Sequence, residues 1–173
     1  SNLGMLRYEW VWVKAKATGF LNANRAPLKK SENILVFYQK PPVYNPQFTY
    51  AEPYKRVYPK SGSSPNYGKF ERTATASNDG RRYPTNVLYA TAVTGGIHPT
   101  QKPVELCEYF IKTYTNEGAV VADICAGSGT TAVAALNTGR RFICFENAPA
   151  IFCAAAERIA RAQEAVAEGR KGV

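Results

Sequence analysis

Residues Tyr8–Lys14 read YEWVWVK, an alternation of aromatic and β-branched side chains that predicts a half-buried strand. Asn33–Gln39 (NILVFYQ) predicts a second strand, with an apolar centre suited to a covered sheet. The stretch between them, AKATGFLNANRAPLKKSE, is largely polar and holds Gly19, Pro27 and two asparagines. It reads as a long loop, so the two strands can pair as antiparallel neighbours with that loop at their tip. The back half is more regular. Gln101–Thr115 has a helical period, with Thr100 as cap, Pro103 tolerated in the first turn, and Val104, Cys107, Phe110 and Ile111 on one face. Gly118 breaks it. Ala119–Ile124 (AVVADI) then predicts a buried strand, Thr130–Asn137 a helix of small residues ended by Gly139, and Arg141–Phe145 (RFICF) another strand. Asn147 is the expected cap of a last helix, closed by Gly169, with Ile151, Phe152, Ala155 and Ile159 inward. Strand, helix, strand, helix in this order is a βαβ unit, which makes the fold α/β with a parallel sheet.

From Pro41 to Gly96 this regularity disappears. Seven of the eleven prolines and seven of the eleven tyrosines lie here, together with the turn material SGSSPNYG and ASNDG. Proline at this density argues against a regular helix or a central strand. The segment is expected to be an irregular subdomain or a set of long loops, and such stretches in compact proteins usually carry function. A short strand candidate, Asn86–Ala90, follows Arg81-Arg82-Tyr83-Pro84. Three parts result: a strand pair over 1–40, an insertion over 41–97, and the orderly part over 98–173.

Length and composition narrow the options. A chain of 173 residues, 45% hydrophobic and 20% charged, can build one domain with a subdomain and is not a disordered tail. No apolar run approaches the ~18 residues of a membrane helix, and Arg7, Glu9, Lys14 and Lys16 interrupt any reading of a signal peptide. Cys107, Cys125, Cys144 and Cys153 form no C-x-x-C pair, which disfavours a metal knuckle and fits free thiols in a reducing, cytoplasmic compartment. Charge divides the chain in two. Residues 1–40 carry five net positive charges, residues 41–97 four, and residues 98–173 none. A basic front half suits a polyanionic partner, and it equally suits a solubilising surface.

Two loops carry candidate chemistry. Asp123-Ile-Cys-Ala-Gly127-Ser128-Gly129-Thr130-Thr131 lies between a strand and a helix, where glycines allow close backbone approach and a helix N-terminus favours an anion. It lacks the Lys of a phosphate-binding P-loop and the third glycine of the dinucleotide fingerprint, so a plain glycine turn is the alternative. Glu146 ends the next strand, where an acid grips ribose hydroxyls in nucleotide-binding α/β folds, or is simply solvated. The second loop is His98-Pro99-Thr100-Gln101-Lys102-Pro103. Its Thr100 and Lys102 suit a carboxylate, with plain helix capping as the alternative, and its single histidine has no partners for a metal.

HPTQKPVEL, then DICAGSGTT, then FE resembles the β-group of DNA amino-methyltransferases, which use S-adenosyl-L-methionine to methylate adenine N6 or cytosine N4. RYPTNVLYA before the first motif, and YEWVWVK with RAPLKKSENILVFYQK, are also similar to that family, so the likeness covers nearly the whole chain. It implies a partial Rossmann-like methyltransferase sheet with an irregular target-recognition insertion between Pro41 and Gly96. Asp123, Cys125, Ala126, Gly127, Ser128, Gly129, Thr130 and Thr131 would cradle the cofactor. Glu146 with Asn147 would hold its ribose end, and His98, Pro99, Thr100, Gln101, Lys102 and Pro103 would line its methionine end. The implied partner is double-stranded DNA, met by Arg25, Lys29, Lys30, Lys55, Arg56, Arg81 and Arg82.

Two departures stand out. Cys125 occupies a position where the family usually has an aromatic. The family's Asp/Ser-Pro-Pro-Tyr catalytic box, expected before the YEWVWVK strand, does not occur in these residues, and Pro41-Pro42-Val43-Tyr44 follows the strand pair and lacks the polar residue. No catalytic residue is therefore assigned. The chain is expected to be a methyltransferase portion that is inactive by itself, with a separate N-terminal segment or a second copy completing the sheet. The alternatives are a catalytically silent DNA-binding module on the same scaffold and a methyltransferase acting on RNA or protein.

Overall fold

A computed structural model describes residues 2–57, 61–66, 68–71, 75–98 and 100–172. The chain forms two compact units, Ser1–Asn45 with Thr85–Val173, and Pro46–Pro84.

In the first unit β1 (Leu6–Thr18) and β2 (Lys29–Phe37) pair antiparallel, with Trp10 opposite Ile34 and Trp12 opposite Glu32. Both strands run longer than their apolar cores suggest, because polar residues continue the ladder past Lys14 toward the tip. On β1 the side chains of Trp10, Trp12 and Lys14, spaced by two, all point inward and are buried. The short strand after the insertion, Val87–Ala90, joins the other edge of β1 in parallel, where the Trp12 indole N–H also donates to the Ala90 carbonyl at 2.9 Å.

The second unit, Pro46–Pro84, is a stack of two-stranded antiparallel ladders. Here β3 (Thr49–Tyr50) pairs with β8 (Arg81–Arg82), β4 (Tyr54–Val57) with β7 (Thr75–Asn78), and β5 (Ser61–Ser64) with β6 (Gly68–Glu71). Every one of these strands is an edge strand, the setting in which proline and glycine are tolerated. The expected irregular segment is thus a nested hairpin. Val87–Ala90 is β9.

The remaining elements return to the first unit. Helix α1 (Val104–Tyr114) is followed by β10 (Val120–Asp123), α2 (Thr130–Asn137), β11 (Arg141–Cys144) and α3 (Pro149–Ala167). Strands β10 and β11 are parallel, as a βαβ unit requires. Ala132, Val133, Ala134 and Ala135 of α2 are all fully buried, because this helix is packed by α1, α3 and both strands and only small residues fit on every side. Ile111 of α1 meets Ala134 and Ala135, with Val104, Cys107, Val121 and Phe142 packed around them.

Several sequence expectations change at this level. Neither Thr100 nor Asn147 caps a helix: the caps are Pro103 and Ala148, and neither makes a side-chain cap bond. Phe152, expected inward, lies 54% exposed, since α3 turns Ala155, Arg158, Ala162 and Ala165 to the interior instead. The strand AVVADI is not buried on both sides. Val121 and Phe142 are covered by helices, whereas Val120, Ile124, Ile143 and Phe145 on the opposite side are exposed. Among the described residues no strand joins β10–β11 to β2–β1–β9, and no helix is long and apolar enough to cross a membrane.

What connects the two sheets is aromatic packing on α1. The Trp10 ring meets Tyr109 and Phe110 edge-on, each at 5.6 Å between centroids, and its N–H donates to the Tyr114 hydroxyl at 2.7 Å. Tyr8 hydrogen-bonds the same hydroxyl at 2.9 Å, and burial together with this bond raises the Tyr114 phenol above its ordinary range. Replacing Trp10 with Ala is expected to destabilise the chain by about 3–5 kcal/mol. Trp10→Phe keeps much of the ring packing and loses the N–H bond, at a cost of about 1–3 kcal/mol. Urea denaturation of the two variants checks both the size and the order of these losses.

Candidate functional site

The loop after β10 is held by two carboxylates. Asp123 accepts from the Cys125 N–H at 3.0 Å and from the Thr131 hydroxyl at 2.6 Å, which closes the turn onto the first turn of α2. Glu146, just beyond β11, accepts from the Gly127 N–H and from the Ala148 N–H, both at 2.9 Å. These backbone donors hold the Glu146 carboxyl below its ordinary value of 4.5. The Ala126 N–H reaches the Phe145 carbonyl at 2.9 Å, so the loop is fastened to the end of β11 at two points.

Gly127 and Gly129 have φ of +52° and +74°, values that side-chain-bearing residues rarely adopt. At Gly129 a Cβ would also stand 3.0 Å from Ile159 and 3.4 Å from Ala155, so any other residue would press on α3 as well as strain the backbone. At Gly127 a Cβ would lie 3.9 Å from the His98 ring, which brings the two candidate loops against each other.

The second loop is built differently from its sequence reading. The His98 Nδ1 accepts from the Thr100 N–H at 3.2 Å and lies 2.9 Å from its hydroxyl. Gln101 turns back to accept from the Ile97 N–H at 3.1 Å. Lys102 pairs at 3.0 Å with Glu32, which also pairs at 2.6 Å with buried Lys14, and both ammonium groups lie 5.5 Å from the Trp12 ring. Burial alone would raise the Glu32 carboxyl, but hydrogen bonds from the two lysines bring it below its ordinary range. Pro103 is buried at the start of α1. The Lys102 carbonyl accepts from Thr130 at 3.3 Å, and Pro99 lies outside the described residues.

Beside the carboxylate-held loop is a cleft of about 440 Å³ lined by Ile124, Cys125, Cys144, Phe145, Glu146, Asn147 and Phe152. That size lies within the range of small-molecule sites. Ile124 and Phe145 are 82% and 58% exposed, so two apolar walls stand open beside a polar edge. A carboxylate has about four acceptor positions, so Glu146 keeps acceptor capacity beyond its two backbone bonds. Apolar walls, an acid with spare acceptor capacity and a loop with glycine at positions 127 and 129 form a set that fits an adenosine-bearing cofactor. The cysteines here differ: burial, with the Asp123 charge, pushes the Cys107 thiol up to about 11 and raises Cys144, while Cys125 is exposed in the cleft.

One residue of this architecture was not singled out from sequence. Arg158 of α3 is buried and donates to the Ser128 carbonyl and the Thr130 hydroxyl, both at 3.0 Å, bracing the loop from behind. Its signal was present in the sequence: an arginine inside the stripe Ala155, Arg158, Ala162, Ala165 that otherwise holds only small apolar residues.

The basic residues fall in separate places. Arg25, Lys29 and Lys30 are exposed on the β1–β2 hairpin. Within the other unit Lys55 and Arg56 are exposed, Arg56 lies 5.0 Å over Tyr54, and Arg81 lies 4.7 Å over Phe48. Arg82 is engaged with its own unit: it donates to the Asn78 side chain and to the Glu52 carbonyl, and lies 4.9 Å over Tyr54. Among the described residues no cluster of His, Cys, Asp or Glu could hold a metal ion.

Glu146→Gln keeps an acceptor for one backbone N–H and presents an NH2 to the other. The stability Glu146 contributes is complete above 4.5 and is lost as pH falls through its lower folded value. Thermal unfolding from pH 7 to pH 2.5 should therefore show the variant less stable near neutrality, with the two curves converging in acid. A constant gap across the whole range would contradict this role for the carboxylate.

Residues 2–157 match the family model described as DNA methylase. The chain is 32% identical over 128 residues to the type II methyltransferase M.HindIII of Haemophilus influenzae, a match covering 68% of this chain and 40% of that protein. It is 54% identical over 48 residues to the type II methyltransferase M2.DpnII of Streptococcus pneumoniae, covering 28% and 18% respectively. Among solved structures, the M1.HpyAVI–SAM complex superposes with a TM-score of 0.56 at 25% identity, over 89% of this chain and 62% of that one. The PvuII cytosine-N4-specific DNA methyltransferase, at 19% identity, shares the fold with a TM-score of 0.56, over 94% and 57%. The chain thus spans less than two thirds of the length of each of these relatives. With the family model matching most of its length, the chain belongs to the DNA methylase family.

Proposed function

We propose that this chain is the S-adenosylmethionine-binding and DNA-contacting portion of a DNA amino-methyltransferase acting on adenine or cytosine in the cytoplasm. The observation that carries the reading is the Asp123- and Glu146-held glycine loop beside an open apolar cleft. The M1.HpyAVI match, a protein solved in complex with SAM, supports it.

In this reading the bound cofactor supplies the methyl group. Ile124, Phe145 and Phe152 would wall its adenine end, Glu146 would accept from its ribose hydroxyls, and the Gly127–Gly129 backbone would allow its close approach. Asp123 and Arg158 do not need to touch it; they fix the loop in position. His98 borders the loop at Gly127 and would form the wall toward the methionine end. Lys102 serves that wall indirectly, because its ammonium is spent on Glu32. Duplex DNA is taken by the basic front half, through Arg25, Lys29, Lys30, Lys55, Arg56 and Arg81, while Arg82 maintains its own unit.

Methylating an exocyclic amino group requires a flipped base held with its nitrogen in line with the methyl. Positioning of that kind is worth about 7–11 kcal/mol of barrier. The polar-Pro-Pro-aromatic box that does this in the family is not among these 173 residues. Turnover therefore needs a segment carrying the box, whether joined to this chain or supplied separately, and the open edge of β10 and the exposed β10–β11 face offer a place for it.

Two measurements test this. The purified chain, mixed with unmethylated DNA and labelled cofactor, should transfer no methyl groups, and fusing a box-bearing segment before Tyr8 should restore transfer. Robust turnover by the chain alone would contradict the assignment. Separately, saturating S-adenosylmethionine should protect Cys125 from alkylation in the wild type and fail to do so in Gly127→Val. Equal protection in both would remove the glycine loop from the site.

A further inference from the structure

We propose that the tip of the β1–β2 hairpin inserts Phe20 and Leu21 between base pairs of duplex DNA, while Lys16, Arg25, Lys29 and Lys30 hold the flanking phosphates. The inference rests on the DNA reading above and adds a contact that reading does not contain.

Every residue from Ala15 through Lys30 is exposed. At the tip Phe20 is 80% and Leu21 98% exposed, and Leu28, just before β2, is 46% exposed. Single apolar residues on a surface are ordinary, but two adjacent large ones at a projecting tip call for a partner.

The tip is not a loose loop. Phe20–Asn22 form a 3-10 turn, closed by Asn22 N–H to the Gly19 carbonyl at 2.9 Å and Ala23 N–H to the Phe20 carbonyl at 3.0 Å. Arg25 and Ala26 both donate back to the Asn22 carbonyl, at 2.9 and 3.0 Å. Below the turn the Thr18 hydroxyl donates to the Lys29 carbonyl at 3.1 Å and ties the two strands at the neck. The ladder slips between Val13 and Thr18, so the outer hairpin is offset from the inner one. Two apolar side chains are therefore presented on a preformed knuckle, and little ordering remains to be done on binding.

The charge around the knuckle identifies the partner. Lys16, Arg25, Lys29 and Lys30 surround it, and no acidic residue occurs between Glu9 and Glu32. An apolar wedge inside a cationic collar complements a surface with an apolar interior and an anionic rim. Duplex DNA has that form at each base step: stacked rings between two phosphate strands. Proteins that kink DNA use Phe, Leu and similar wedges in this way. In a DNA methylase, an inserted pair would also loosen the stack from which a target base has to leave.

The test uses the full chain and duplexes carrying 2-aminopurine at successive positions, whose fluorescence rises when stacking is lost. Wild type should raise the signal at one step. F20A/L21A should abolish that rise and weaken binding about tenfold or more, with the slope of log K against log salt unchanged. K29A/K30A should do the converse, keeping the fluorescence rise and reducing the slope by about 1.8. Unchanged affinity and fluorescence in F20A/L21A would overturn insertion and leave the DNA reading intact. A change in sedimentation of the free protein on F20A/L21A, or an equal loss of binding to phosphatidylserine vesicles, would also overturn insertion, in favour of self-association or a membrane. Wild-type chain that binds no duplex at any salt would overturn the DNA reading and this proposal together.

Discussion

Helix α1 has to satisfy two different surfaces at once, and the rest of the larger unit depends on it. One side receives the Trp10 indole through Tyr109, Phe110 and Tyr114. The other, through Cys107 and Ile111, closes a core of alanines too small to fill space without it. Because no described strand joins the two sheets, this helix substitutes for the sheet continuity that an α/β domain ordinarily has. The aromatic side relies on ring geometry and a buried N–H bond, whereas the aliphatic side relies on close approach. Neither side can drift without misplacing the loop that leads into the helix, from His98 to Pro103.

That constraint reaches the candidate site directly. His98 borders Gly127, and Thr130 donates to the Lys102 carbonyl, so the two loops share a position set by α1 and α2 together. Asp123, Glu146 and Arg158 then fix the glycine loop from three directions, each through backbone or hydroxyl groups. A loop fastened in this way is organised before any ligand arrives, which lowers the ordering cost of binding. It also changes the meaning of the acids: their first task is to hold backbone, and in the proposed function ligand contact by Glu146 would use what acceptor capacity is left.

Much of this was legible in the chain. Alternation exposed β1, short apolar runs marked β2, β10 and β11, and glycines marked where helices ended and where the loop turned. The failures have physical causes. Thr100 and Asn147 looked like caps because their residue types favour that role, yet Thr100 is bound to His98 and Glu146 satisfies the α3 N-terminus. Lys102 read as a partner for a ligand's carboxylate, and the structure also pairs it with a carboxylate of its own chain, Glu32, far away in sequence. The hairpins between Pro46 and Pro84 left no pattern to read, since two-stranded ladders have no buried face to impose alternation. Arg158 went unmarked because an arginine on a helix ordinarily faces water, and only its packing shows otherwise.

In the proposed function the loop from Asp123 to Thr131 and Glu146 together hold an adenosine cofactor. The most direct test of that claim is an amide NMR titration of the isotopically labelled chain with S-adenosylmethionine. Shifts concentrated at Cys125–Gly129 and at Asn147 and Ala148, with smaller ones at His98 and Thr100, are the predicted result. A spectrum unchanged at millimolar ligand, or shifts confined to the far end of α3, would contradict it.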